Sequence, residues 1–304
     1  MDEELLVESP LLKLQRLRRE NEELVRAKTL RESYGINFYR PHWKQHLFHK
    51  VAVTGRYCRF GNRTGKTVGG SAESVAYLRG ERIWYKQAFD VLNGKREVME
   101  RHLGGAEHPL ITQGIPDHAV KGLLVCSSWK KSKEIFTNED GSYENLGELF
   151  QLIPRDALGA ITHVQGYVTQ IEVRRPPERG GGSSILYIDT VEGYKHAHLS
   201  AESSDFDFIH YDEPPPQKMF VANKRGLTDR NGKFWINATP VEELWVNDEF
   251  TPSVGTNIRV ADTGLRFRKT DRGGERFIIT ASIYDNPFIS DEGRAEFEAS
   301  LSNE

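Results

Sequence analysis

Gly61-Asn62-Arg63-Thr64-Gly65-Lys66-Thr67 is a glycine-bearing turn that closes on Gly-Lys-Thr. Such a turn is built to wrap phosphate: backbone N–H groups curl around the anion, the lysine ammonium reaches the β and γ oxygens, and the hydroxyl ligates Mg²⁺ at the start of a helix. Those roles fall to Lys66 and Thr67, with Gly61, Asn62, Arg63, Thr64 and Gly65 forming the cradle. The usual loop has a glycine where Phe60 stands here, with Gly61 one place later, so the loop is a variant. Its flanks suit it. Arg56 to Phe60 reads as a short strand, and Val68 to Arg79 reads as a helix stopped by Gly80, which is the strand, turn and helix setting that the loop needs.

The chain has 304 residues, 38% hydrophobic and 28% charged, enough for one large α/β core or two modest domains. No run is apolar enough to cross a bilayer, and Met1-Asp2-Glu3-Glu4 lacks the basic start of a signal peptide, so the expected location is the cytoplasm. A formal net charge of −3 argues against a globally basic nucleic-acid coat. Cys58 and Cys126 have no zinc spacing and read as small buried hydrophobes, so any metal is expected to arrive with the nucleotide.

Residues 11–32 are rich in Leu, Glu, Arg and Lys and read as a helix, with Pro10 in its first turn and Gly35 just past its end. Leu14, Leu17, Asn21 and Leu24 recur in steps of three and four. The plainer expectation is a helix laid against its own domain; the alternative is a docking arm for another subunit. Tyr39 to His49 is dense in aromatics, with a helix opening at Pro41 and Trp43, Leu47 and Phe48 as core candidates. Gln45 is the candidate amide for an adenine edge. Residues 81–120 read as connecting or inserted structure. Gly122 to Ser128 reads as a buried strand leading into a helix, and Tyr167 to Val173 and Ser184 to Thr190 as two more strands. The basic segment from Arg174 to Gly182 between those two reads as a solvated hairpin tip.

Phe206 to Glu213 is a mostly apolar strand ending in adjacent carboxylates, and Pro214-Pro215-Pro216 stops it there. In a nucleotide-hydrolysing site the first acid, Asp212, supports Mg²⁺ and the second, Glu213, polarises the attacking water. Open α/β sheets bind ligands at the carboxyl ends of their strands, which sets this pair beside Lys66 and Thr67. Lys233 to Pro240 reads as a further strand, with Asn237 or Thr239 at its tip to sense the γ-phosphate.

Taken together, Tyr39-Arg40-Pro41-His42-Trp43-Lys44-Gln45, the phosphate loop, Asp212-Glu213-Pro214-Pro215, Asn237-Ala238-Thr239-Pro240 and Tyr284-Asp285-Asn286-Pro287 resemble the ATPase part of the large terminase subunits of tailed bacteriophages. The resemblance spans residues 36–290, leaving an N-terminal helical arm over 1–35 and a tail or linker over 291–304. It implies an α/β P-loop NTPase of the ASCE/RecA-like kind, with a mainly parallel central sheet flanked by helices. It also implies ATP and Mg²⁺ as cofactors, Gln45 reading adenine, and hydrolysis that drives double-stranded DNA into a procapsid in the host cell. The implied partners are DNA, a portal protein, a small terminase subunit and neighbouring copies in a ring, with a monomer expected in isolation. Arg63 occupies the place of a γ-phosphate-sensing arginine in some members.

A trans-acting arginine is implied too, with Arg155, Arg174, Arg175 and Arg179 as candidates. Members of that family continue into a nuclease domain; this chain stops at Glu304, so DNA cutting is not expected of it. Two other readings use the same residues. A helicase-like translocase needs a second motor domain, for which too few residues follow Pro240. A nucleotide-dependent scaffold has little use for the water-activating Glu213.

Overall fold

The computed structural model describes residues 10–86, 109–197, 205–239, 244–250, 258–260, 265–269 and 275–301. Helix α1 (Pro10–Ser33), the single turn α2 (Gly35–Phe38) and α3 (Trp43–Lys50) precede the first strand. Strand β1 (Gly55–Phe60) then feeds helix α4 (Lys66–Arg79) through the phosphate loop. The remaining strands are β2 (Lys121–Cys126), β3 (Leu158–Val164), β4 (Tyr167–Arg174), β5 (Ser183–Thr190), β6 (Phe208–Asp212), β7 (Lys233–Ala238), β8 (Ile258–Val260), β9 (Leu265–Lys269) and β10 (Glu275–Ala281).

Among the described residues they form one ten-stranded sheet in the order β3-β4-β5-β2-β6-β7-β1-β10-β9-β8. The centre, from β5 to β10, is parallel throughout, and an antiparallel hairpin extends each edge. This is the expected α/β P-loop fold with a mainly parallel sheet. One strand, β7, lies between the phosphate-loop strand β1 and the acid-bearing strand β6, as the ASCE arrangement requires.

Buried parallel strands present alternate residues to two covered faces. On β6, Phe208 packs on the α4 side with Val75, Ala76 and Leu78, whereas Ile209 and Tyr211 pack on the other side with Met219, Phe220, Trp245 and Phe250. On β7, Trp235 joins the α4 side, and Phe234, Ile236 and Ala238 join the other. The same alternation assigns His210, Asp212 and Asn237 to the α4 side, so sequence parity aims the polar tips of β6 and β7 at the helix that carries Lys66.

Several expectations need correction. The arm helix α1 does not lie against its own domain: every side chain from Lys13 to Arg31 is exposed, Leu14 and Leu17 at 47% and Leu24 at 69%. Its 24 residues span about 36 Å. Trp43 is exposed rather than core, whereas Phe48 is buried. The segment between β4 and β5 is mostly exposed, as expected of a hairpin tip, but two of its arginines are engaged with the body of the protein. Arg175 is buried and donates to three carbonyls, of Arg179 at 2.7 Å, Tyr77 at 3.0 Å and Pro116 at 2.7 Å. Arg179 pairs with Glu81 at 2.8 Å. Both arginines sit at the amino end of β5, across the sheet from the phosphate loop, and are engaged within their own subunit. Arg174 donates to Leu158 O at 2.7 Å, and Arg155 is exposed. Within the stretch expected as a tail or linker, Asp291–Leu301 is helical. Of the expected connecting region, residues 87–108 lie outside the described residues, as does Pro240. Cys58 and Cys126 are buried, as expected.

Candidate nucleotide site

The phosphate loop is held by its carbonyls. Asn286 Nδ2 donates to Arg63 O at 2.8 Å, His42 Nε2 meets Thr64 O at 2.9 Å, and Gln45 Nε2 donates to Gly65 O at 2.8 Å. His42 Nδ1 accepts from Lys44 N–H, which leaves the ring proton on Nε2, as the bond to Thr64 O requires. Burial lowers the His42 pKa and favours this neutral form. Three successive carbonyls are thus pinned by side chains from two separate segments. Positive φ at Arg63 (58°) and Gly65 (77°) gives the loop its reversed curvature before α4 begins. The first N–H groups of α4 have no intrahelical acceptor, so they are available to an anion together with the dipole of the helix.

Thr64 is fully buried and turned inward, its hydroxyl donating to Gly61 O at 2.6 Å. It is a plug inside the loop. Gly61 itself ends β1, its N–H donating to Ala281 O on β10 at 3.0 Å. Asn62 and Arg63 are exposed, and the Arg63 guanidinium lies 5.9 Å from the Phe297 ring on the C-terminal helix. Gln45 is buried, with both amide ends engaged: Oε1 accepts from His42 N–H at 3.0 Å while Nε2 holds Gly65 O.

Across the sheet, the register pairs Asp212 of β6 with Asn237 of β7, and Cys58 of β1 with Asn237. The acid pair therefore stands two strands from the phosphate loop with Asn237 between. Lys66 Nζ donates to Thr239 Oγ1 at 3.0 Å, and that hydroxyl donates to Glu213 Oε1 at 3.2 Å. The Thr239 N–H reaches Glu213 Oε2 at 3.2 Å, and Lys66 Nζ lies 3.9 Å from Glu213 Oε1. Glu213 adopts φ 76°, unusual for a residue with a side chain and held by its N–H bond to Asn237 O at 2.8 Å. Burial, then the adjacent Glu213, pushes the Asp212 carboxyl up to about 7, against smaller opposing pulls from Lys66 and Lys131.

A buried acid held near neutrality beside a second carboxylate suits a site that takes up a cation. The donor set fits Mg²⁺ carried by a nucleotide: Asp212 and the Thr67 hydroxyl would hold it, with phosphate oxygens completing the shell. Among the described residues no cluster of three His, Cys, Asp or Glu side chains could hold a metal by itself.

The structure brings the glycine-lysine-threonine run and the strand-terminal acids, both expected from sequence, to one edge of the sheet. His42, Asn286 and His210 were not found as site residues. His42 carried one available signal, its place three residues before Gln45 at a helix start, which is a capping pattern.

Fold and site together define a P-loop nucleoside-triphosphatase core. No protein-family model and no curated protein matches the chain. Among solved structures it is similar to the large terminase ATPase domain of Thermus phage P74-26, at 15% identity and a TM-score of 0.50, over 88% of this chain and 89% of that one. It is also similar to the large terminase of a thermophilic bacteriophage in complex with ATP-γ-S, at 10% identity and a TM-score of 0.47, over 85% of this chain. It covers 49% of that second protein, about half its length. The fold is thus shared with phage large-terminase ATPase domains. No described helix is long and apolar enough to cross a membrane.

Proposed function

We propose that this chain binds ATP with Mg²⁺ and hydrolyses it to drive double-stranded DNA into a viral procapsid. The observation that carries the hydrolytic part is the meeting of Lys66 and Glu213 through the Thr239 hydroxyl at the carboxyl edge of the sheet. In this reading Lys66 and the loop N–H groups bind the phosphates, and Thr67 and Asp212 would hold a Mg²⁺ ion, which would supply positive charge beside the phosphates. Glu213 takes a proton from the attacking water as its oxygen bonds to the γ-phosphorus and the bond to the β–γ bridging oxygen breaks, leaving ADP and phosphate. Asn237 and Thr239 respond to the γ-phosphate. Arg63 is exposed at the mouth of the loop, where a swing of its side chain brings it to the phosphates. Gln45 contacts adenine only by exchanging one of its present partners, so in this reading it links base recognition to the loop carbonyls.

The packaging role rests on the motif resemblance, together with the fold shared with large-terminase ATPase domains. DNA, a portal protein, a small subunit and ring neighbours are the partners proposed with it, inside the infected cell. The projecting α1 supports the reading of residues 1–35 as an arm.

The test is ATP turnover by the wild type, Glu213→Gln and Lys66→Ala over a wide range of protein concentration, with and without duplex DNA. Glu213→Gln is expected to lower kcat by about 10²- to 10⁴-fold while ATP still binds. Lys66→Ala is expected to lose binding. Turnover that survives Glu213→Gln unchanged would overturn the assignment.

A further inference from the structure

Behind the acid pair, a buried polar chain crosses from β7 through β6 into α4. Asn237 Nδ2 lies 3.1 Å from Lys66 O and 2.9 Å from His210 Nε2. His210 Nδ1 lies 3.0 Å from Ser74 Oγ, and that hydroxyl donates to Gly70 O at 3.1 Å. Asn237 is 1% exposed, and His210 and Ser74 are fully buried.

The direction of every proton in this chain follows from one acceptor. Lys66 O can only accept, so the amide nitrogen of Asn237 must face it, and the second N–H of that nitrogen goes to His210. His210 Nε2 therefore accepts, Nδ1 carries the ring proton and donates to Ser74, and Ser74 passes its own proton to Gly70 O. Packing agrees with the hydrogen bonds. A Cβ at Gly70 would stand 1.9 Å from Asn237 Nδ2 and 2.5 Å from His210 Nε2, so α4 carries no side chain where the two groups meet it. The orientation leaves Asn237 Oδ1 buried with no hydrogen-bond partner among the described residues, on the strand tip between β1 and the acid pair. An unpartnered buried carbonyl oxygen is costly, and such oxygens mark places where a ligand or its water is received.

We propose that His210 is a positioning residue for nucleotide sensing: by accepting from Asn237 it fixes the amide with nitrogen toward Lys66 and oxygen toward the γ-phosphate side. The proposal rests on the nucleotide site described above and deepens it. Without the acceptor at His210 Nε2, the amide has one fixed partner instead of two and turns about that bond. The γ-phosphate then loses a preset contact while the α- and β-phosphates keep theirs. The contact is long-range: Ser74 and Lys66 lie on one helix, His210 and Asn237 on neighbouring strands.

The experiment compares dissociation constants for Mg·ATP-γ-S and Mg·ADP in the wild-type chain, His210→Phe, His210→Gln, Asn237→Ala and the double variant His210→Phe/Asn237→Ala. Phenylalanine keeps the ring packing and removes the acceptor. Loss of one hydrogen bond predicts that His210→Phe weakens ATP-γ-S about five- to tenfold and leaves ADP within about twofold. Asn237→Ala should do the same, and the double variant should be no worse than Asn237→Ala alone, because both changes remove one function. Glutamine places an amide oxygen near the lost Nε2 and should restore discrimination.

A general packing defect would instead weaken both nucleotides, add to Asn237→Ala, and gain nothing from glutamine; any of these results overturns the positioning role. Should His210→Phe not fold, Ser74→Ala removes the acceptor that holds the ring through Nδ1–H and should lower discrimination in the same direction; unchanged discrimination there counts against the proposal. Wild-type protein that binds neither nucleotide sinks the nucleotide-site reading itself. Wild type that binds both, with discrimination untouched in His210→Phe, sinks only the role of His210.

Discussion

Helix α4 meets one cluster of charge near its middle and another at its N-terminal end, and the two are built on opposite terms. Near its middle, Glu73 is fully buried and saturated: Arg56 reaches it at 2.6 Å, Arg82 at 2.9 and 2.6 Å, and His49 at 2.8 Å. The rest of the Arg56 guanidinium lies over rings, 4.5 Å from the Phe48 centroid and 4.9 Å from that of Trp235. Burial alone would raise the Glu73 pKa; Arg82 and Arg56, with the His49 bond, outweigh it and hold the carboxyl well below the usual range. At the N-terminal end, two adjacent carboxylates face a single close lysine, and Asp212 rises to about 7. A saturated ion cluster anchors the helix; an under-neutralised one is poised to take a cation. The fold fixes α4 with the first and keeps the second available for chemistry.

The largest expected effect of breaking this contrast is on stability. Glu73→Gln leaves two buried guanidiniums without their counter-charge, and such one-sided removals cost about 3–5 kcal/mol. Glu213→Gln, at a half-exposed side chain, should change unfolding free energy by no more than about 0.5 kcal/mol. Denaturant unfolding of the two variants measures both. Equal losses would mean that the two clusters do not differ in the way their geometry implies.

Next in size are pH effects of opposite sign, one from the strand-terminal acid and one from two buried histidines. The folded pKa of Asp212, about 7, lies above its unfolded value, so the stability it contributes is complete below the unfolded pKa and is lost as pH rises toward 7. His49 and His210, held near 4 and 3 by burial, work the other way: their stability is present above their unfolded pKa and is lost as pH falls below it. Asp212→Asn removes only the first contribution. Its unfolding free energy should match the wild type near pH 4 and exceed it by roughly 4 kcal/mol at pH 8. A gain that is constant across pH would show that Asp212 is not the group being strained. In the wild type, Mg²⁺ with nucleotide should draw Asp212 into its ionised form and release a proton near pH 6.5, read by calorimetry in buffers of different ionisation enthalpy.

How much of this was legible in the sequence depends on how local each signal is. Lys66, Thr67, Asp212 and Glu213 announce themselves, because glycine spacing and an apolar strand running into two acids are patterns within a few residues. The central strands were readable for the same reason, from short apolar runs. The partners that hold the site were not. Asn286 acts on a carbonyl 223 positions away, and His210 on an amide 27 positions away; the stretch around Asn286 stands out only through the family resemblance, and nothing near His210 points to its partner. Arg175 sits in a polar, glycine-rich stretch that reads as solvent-facing, yet a guanidinium with five donors can serve as a buried clamp on carbonyls. In α1, leucines at helical spacing imply packing, but spacing does not say on what; here they face solvent.

The smallest effect tests whether the anchoring cluster is insulated from the poised one. His49 Nδ1 donates to Glu73, so Nε2 accepts from the Tyr39 hydroxyl at 2.9 Å. Tyr39→Phe removes that donor and nothing else, and should lower stability by about 1 kcal/mol, the cost of one buried acceptor left unpaired. Because Glu73 keeps both arginines, α4 should not shift and nucleotide affinity should stay within about twofold of the wild type. A larger fall in affinity than in stability would mean that the cluster is not a passive anchor. Strain at His49 would then travel along α4 to Lys66, and the two clusters would have to be treated as one coupled device.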